Sequence, residues 1–122
     1  MASGNGDLLQ GTLGILILKA LQPRELHGYA VARWIQDTTG DVLQIEEGSL
    51  YPALRRLEDK GFVEARWGVS ENNRRARFYS ITSQGREHLQ SDASNWMRFA
   101  EAVMIVLRSE PTLAGIPQAA GG

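Results

Sequence analysis

Residues 47–82, EGSLYPALRRLEDKGFVEARWGVSENNRRARFYSIT, constrain the fold more than any other stretch. Pro52 has no N–H to donate and its ring crowds the turn before it, so a helix here is expected to carry it in the first turn, starting near residues 47–49. From there Leu50, Leu54 and Leu57 recur at helical spacing and make an inward face, leaving Ser49, Tyr51, Arg55 and Arg56 to point elsewhere. Gly61 ends the helix. Val63, Ala65 and Trp67 then alternate with Glu64 and Arg66 as a half-buried strand does, and Phe78 to Thr82 supply a return strand. Ser70 to Arg75 form the tip, where Asn72 and Asn73 tolerate the left-handed backbone of a hairpin turn.

The rest of the chain reads as helices placed around this unit. Residues 1–6 are small and polar and are expected to be disordered. Asp7 caps a first helix whose apolar residues, Leu8, Leu9, Leu13, Ile15, Leu16, Ile17, Leu18 and Leu21, cover nearly its whole circumference. Such a helix asks to be buried on more than one side. Pro23 ends it, and a second helix follows from about His27 to Thr38, with Gly40 at its C-terminal cap and Ala30, Val31, Trp34 and Ile35 facing inward. Val42 to Ile45 link it to the helix containing Pro52.

Beyond the hairpin, Thr82 or Ser83 caps a long last helix, in which Gly85 reads as a mild weakness. Leu89, Ala93, Trp96, Ala100, Val103 and Leu107 recur there as a heptad seam, widened by Met97, Phe99, Met104 and Val106. At roughly 38 Å such a helix is longer than a small domain needs, and its seam calls for a second helix, most economically from another copy of the chain. From Glu110 the Pro, Gly and Ala content indicates a loose tail. The expected fold is therefore mainly α with a small β-hairpin: a winged helix-turn-helix over residues 7–82, a dimerisation helix over 83–108 and a flexible tail over 109–122.

Composition narrows the function. A length of 122 residues suits one compact domain, and the absence of cysteine removes disulfides, thiolate zinc sites and a cysteine nucleophile, in keeping with a cytoplasmic protein. The longest apolar stretch, near Leu13 to Leu21, is far short of a membrane span, and no secretory leader is read at the start. The formal net charge of −1 conceals an uneven distribution. Residues 1–47 hold Lys19, Arg24 and Arg33 against six carboxylates, whereas residues 48–79 hold Arg55, Arg56, Lys60, Arg66, Arg74, Arg75 and Arg77 against four. Positive charge thus gathers on the helix and hairpin, as an anionic, nucleic-acid partner requires. No nucleophile turn, phosphate-binding glycine loop or carboxylate pair points to an enzyme, and no cofactor is expected.

Three runs, HGY at 27–29, GSLYPALRRLEDKGFV at 48–63 and NRRARFYSIT at 73–82 followed by QGREHL, resemble the PadR family of winged-helix transcriptional repressors, in its short branch, which has a single C-terminal helix. The similarity runs from about Leu8 to Leu107. It implies a homodimer whose first and last helices interlock, bound to a pseudo-palindromic double-stranded DNA operator until an effector is sensed. It also implies that the helix bearing Ser49, Leu50, Tyr51 and Pro52 enters the major groove while the wing around Asn73 to Arg77 meets the flanking backbone. In some short members a tryptophan at what looks like Trp96 stacks planar drugs at the dimer interface. The wing departs from the usual glycine-rich tip in having Asn72 and Asn73, and the first helix lacks the basic residues that some members place before it.

The candidate DNA contacts are Ser49, Tyr51, Pro52, Arg55, Arg56, Arg74, Arg75 and Arg77, joined by His27 and Tyr29 from the HGY run. Arginine pairs with guanine N7 and O6, tyrosine donates to phosphate, and proline meets a thymine methyl. The plainer alternative makes Tyr51 a core residue, pairs Arg55 and Arg56 with Glu58 and Asp59, and leaves the wing arginines as a solubilising tip. His27 either binds phosphate at a helix N-terminus or merely caps it. His88 is not expected to bind metal. Candidate dimer contacts are Leu9, Leu16, Leu89, Trp96, Phe99, Ala100, Val103 and Leu107. Trp96 is either interface core or, with Ala93, Ala100 and Leu13, the wall of a pocket for a flat aromatic effector. The competing functional class is a winged-helix protein-interaction module without DNA binding.

Overall fold

The computed structural model describes residues 12–112. Its elements run α1 (Leu13–Leu21), β1 (Leu26–His27), α2 (Gly28–Thr38), α3 (Glu47–Asp59), β2 (Val63–Val69), β3 (Arg75–Ile81) and α4 (Ser83–Arg108). The strands form one antiparallel sheet in the order β1-β3-β2. Residues 1–6, the Asp7 cap, Leu8, Leu9 and the tail from residue 113 lie outside the described residues. The chain divides between Asp92 and Ala93 into two compact units.

The first unit is a winged helix, and its helix ends follow from glycine. Gly40 (φ 57°) follows α2 and Gly61 (φ 80°) follows α3, both left-handed. At each, two N–H groups turn back onto the last carbonyls: Gly40 N to Asp37 O and Asp41 N to Gln36 O, then Gly61 N to Glu58 O and Phe62 N to Leu57 O. This double closure is the Schellman arrangement, which a residue with a Cβ enters only with strain. The core is apolar throughout, with Ile17, Leu18, Leu21, Val31, Leu50, Leu54 and Val63 fully buried. Leu13 and Ala20 complete the buried side of α1 while Ile15 and Leu16 are half-covered, so this apolar helix is largely satisfied inside its own domain.

Several expectations change. α3 begins at Glu47, which puts Pro52 in its second turn and removes the N–H that Gly48 O would accept. Gly48 is exposed, so this end of the helix tolerates the loss. Trp34 is 38 % exposed and stands off the inward face made by Val31 and Ile35. The hairpin is longer than the alternation indicated, because β2 continues to Val69 and β3 starts at Arg75, pairing Val69 with Arg75. Only residues 70–74 are left for the tip, closed by Ser70 N to Arg74 O with Asn73 left-handed (φ 62°). Trp67 is 56 % exposed instead of inward, since the core ends at Val63 and the strand runs past it. The third strand, two residues long, pairs Leu26 with Tyr79 and His27 with Phe78.

Thr82 joins the hairpin to α4. Its Oγ1 donates to Gly61 O (2.7 Å) and accepts from Gly85 N (3.0 Å), a side-chain cap of the new helix. Gly85 proves to be a packing requirement and no mere weakness: a Cβ there would stand 2.2 Å from Phe62 O. Leu89 is buried in this unit (4 % exposed), which withdraws it from a seam between copies. His88 stacks on Phe62 (4.2 Å between centroids) and its Nε2 lies 3.0 Å from Asp92 Oδ2, the carboxylate one turn on.

The second unit is the rest of α4. Within it Trp96, Met97, Phe99, Val103, Met104, Ile105, Val106 and Leu107 are all exposed, and Ala93 and Ala100 are half-covered.

Candidate nucleic-acid interface

On α3 the buried leucines dictate what faces outward. With Leu50, Ala53, Leu54 and Leu57 turned into the core, Ser49, Tyr51, Pro52, Arg55 and Arg56 are exposed. The pairing proposed as the plainer alternative does not form. Glu58 takes Arg77 from the wing (3.2 Å), and among the described residues neither Arg55 nor Arg56 has an ion pair. Both guanidiniums are therefore left with their N–H edges open.

Tyr51 occupies a defined place on that face. It is 43 % exposed, and its ring lies over Gly28, the first residue of α2. An ideal Cβ on Gly28 would meet Tyr51 Cε1 at 2.8 Å, so only glycine admits the ring there. Partial burial raises the phenol pKa above its ordinary value, and the Glu47 carboxylate one turn earlier adds to the shift. Tyr51 thus stays an O–H donor near neutral pH, the form a phosphate oxygen accepts from.

Of the two roles expected of His27, the structure contains the cap. Its Nδ1 accepts from Ala30 N (3.2 Å) as the N-cap of α2. An accepting Nδ1 carries no proton, so the neutral ring keeps its proton on Nε2 as a free donor. The ring is held by Phe78 edge-on (5.5 Å) and by Tyr29 in a stack (6.4 Å). Tyr29 is exposed, and its hydroxyl accepts from Arg33 Nη1 (3.2 Å).

The wing arginines divide by their partners. Arg66 donates through Nε to Glu25 (3.0 Å) and lies over the Phe78 ring, tying β2 to the loop before β1. Arg77 ties β3 to α3 through Glu58. Arg74 and Arg75 have no carboxylate partner among the described residues, and Arg75 rests on the Trp67 ring (4.3 Å). Two arginines fasten the wing, and two at its outer end keep no carboxylate partner among the described residues.

These elements enclose one open groove of about 460 Å³ lined by His27, Gly28, Tyr29, Tyr51, the wing tip, Arg74, Arg75 and Arg77. Six of the ten residues singled out as DNA contacts, drawn from three stretches of sequence, meet on its walls. Ser49, Pro52, Arg55 and Arg56 lie outside it on the exposed face of α3. The glycine under Tyr51 and the indole under Arg75 went unread in the sequence, the first signalled only by its place in HGY, the second only by an aromatic beside a basic tip. Among the described residues no three His, Cys, Asp or Glu side chains gather as a metal site, and no helix is long and apolar enough to cross a membrane.

The same frame recurs in known proteins. The structure superposes on a transcriptional regulator from Clostridium thermocellum with a TM-score of 0.74 at 26% identity, over 84% of this chain and 99% of that one. A PadR family transcriptional regulator from Eggerthella lenta matches with a TM-score of 0.71 at 28% identity, over 85% and 88% of the two chains. In sequence, the negative transcriptional regulator PadR of Bacillus subtilis is 27% identical over 73 residues, which is 60% of this chain and 40% of that longer protein. The family model for the transcriptional regulator PadR-like family matches residues 17–91, from the core of α1 through the sheet into α4. The chain, a regulator and no enzyme, belongs to the PadR-like family of transcriptional regulators.

Proposed function

We propose that this protein is a cytoplasmic repressor that binds a pseudo-palindromic DNA operator as a homodimer and is released by a small planar aromatic effector. The observation that carries DNA binding is the groove: donors from the cap of α2, from α3 and from the wing converge on it, while Arg55 and Arg56 keep unpaired edges on the adjoining face of α3. Phosphates are met by Tyr51, His27, Arg74 and Arg75, and base edges by Ser49, Pro52, Arg55 and Arg56. Repression is supported by the name of the Bacillus subtilis relative, a negative regulator.

Self-association is supported by the row of exposed apolar residues from Trp96 to Leu107, a density of apolar surface that an isolated helix does not keep in water. The effector reading rests on Trp96, 44 % exposed and flanked one turn away by Ala93 and Ala100, small residues that leave space around the indole. Sedimentation at micromolar concentration should give a dimer, and a planar aromatic ligand should quench tryptophan emission in the wild type far more than in Trp96→Phe. A monomer, or equal quenching, would remove the corresponding part.

DNA binding itself is tested by titrating the protein onto labelled duplex at increasing salt. A log–log slope near −0.9 per phosphate contact is expected. Absence of any salt-dependent binding would favour the interaction-module reading instead.

A further inference from the structure

We propose that Trp67 is a positioning residue for DNA binding, its indole face holding the Arg75 guanidinium in the orientation that meets a phosphate. The inference rests on the DNA reading above and adds to it a residue that does not itself reach the groove. Arg75 and Arg77 line the groove; Trp67 does not. It acts only through what it supports.

The sheet register sets up the contact. Trp67 lies directly across from Arg77, and Arg75 is two residues along β3, so all three side chains leave the sheet on one face. The guanidinium carbon of Arg75 stands 4.3 Å from the indole centroid and that of Arg77 stands 5.7 Å away. Arg77 is anchored elsewhere by Glu58, so the indole is the principal support of Arg75 alone.

The kind of support matters. A carboxylate holds an arginine by its N–H edge and cancels its charge, which spends the donors that a phosphate would use. An aromatic ring holds the guanidinium by its face, leaving the N–H edge and the full positive charge free. Arg66 and Arg77, paired with Glu25 and Glu58, illustrate the first case. Arg75 on Trp67 is the second. Stacking also removes rotamer freedom before the ligand arrives, which lowers the ordering cost of the contact. It further accounts for a tryptophan 56 % exposed at a point where the strand has left the core.

The test is fluorescence anisotropy with the full-length protein and a labelled mixed-sequence duplex three helical turns long, across a salt series. Trp67→Leu keeps an apolar side chain without a ring face and should weaken binding roughly two- to fivefold, the bias of an exposed cation–π contact. Its salt slope should match the wild type, because the Arg75 charge remains. Trp67→Phe should recover most of the loss. Arg75→Ala should reduce the slope by about 0.9, and adding Trp67→Leu to it should cost nothing more. Equal affinity of the Trp67→Leu and wild-type proteins, or an undiminished loss in the Arg75→Ala background, overturns the positioning role and leaves DNA binding standing. A wild type with no salt-dependent binding overturns both.

Discussion

The Tyr51 ring lies over Gly28 so closely that a Cβ on that glycine would stand 2.8 Å from Tyr51 Cε1 and 3.0 Å from its hydroxyl oxygen. The glycine at the start of one helix therefore fixes where the exposed phenol of another is carried. Gly28→Ala must displace the ring, and because only the outer end of an exposed side chain has to move, the change falls on the position of the phenol more than on the stability of the fold. Duplex affinity should drop while the melting temperature changes little; unchanged affinity would show that the place of the ring does not matter for binding.

Gly85 gives a substitution whose sign opposes helix propensity. Alanine is favoured over glycine by roughly 1 kcal/mol inside a helix. Yet a Cβ at Gly85 would stand 2.2 Å from Phe62 O and 2.8 Å from Ile81 Cγ1, and backbone does not move aside cheaply. Gly85→Ala should lower stability by about 1–3 kcal/mol in a denaturant titration, whereas a gain would mean that α4 starts farther from the sheet.

The Glu25–Arg66 pair makes part of the wing's anchorage pH-dependent. The hydrogen bond from Arg66, and secondarily its charge, holds the Glu25 pKa below the ordinary carboxylate value. A carboxylate with a depressed folded-state pKa stabilises the fold above its unfolded pKa, and that contribution is lost as pH falls through the folded value. Glu25→Gln should accordingly melt below the wild type at neutral pH, with the gap closing in acid. Parallel melting curves at both pH values would remove the pair from the stability of the wing.

How much of this was readable in advance depends on where each signal lives. Leu50, Leu54 and Leu57, and Val31 with Ile35, were legible because periodicity reports directly on burial. Gly40 and Gly61 were legible because a left-handed helix end selects glycine locally. Trp67 was misread because alternation cannot say where a strand outruns the core that buries it. β1 is two residues long and exists only by pairing with β3, so no local pattern announces it. Gly28 and Gly85 owe their identity to atoms far away in sequence, Tyr51 and Phe62. Of the site, the residue types and the charge asymmetry were readable; the division of the wing arginines into fasteners and free cations was not, because it turns on Glu25 and Glu58 arriving from other elements.

Base-reading and backbone contacts should separate by mutation. Arg55→Ala should relax discrimination between a selected operator and mixed-sequence duplex, since one bidentate arginine–guanine pair carries about 1–3 kcal/mol of it. Arg75→Ala should weaken both duplexes by the same factor. Competition titrations in which both variants keep wild-type affinity for both duplexes would show that these side chains do not touch DNA.

Backbone amide shifts of isotopically labelled protein, followed while mixed-sequence duplex is added, test the central assignment most directly. Movement concentrated at residues 27–29, 49–56 and 70–77 is the expected result. Shifts confined to the exposed apolar residues after Ala93, with Tyr29, Tyr51 and Arg75 unmoved, would contradict it.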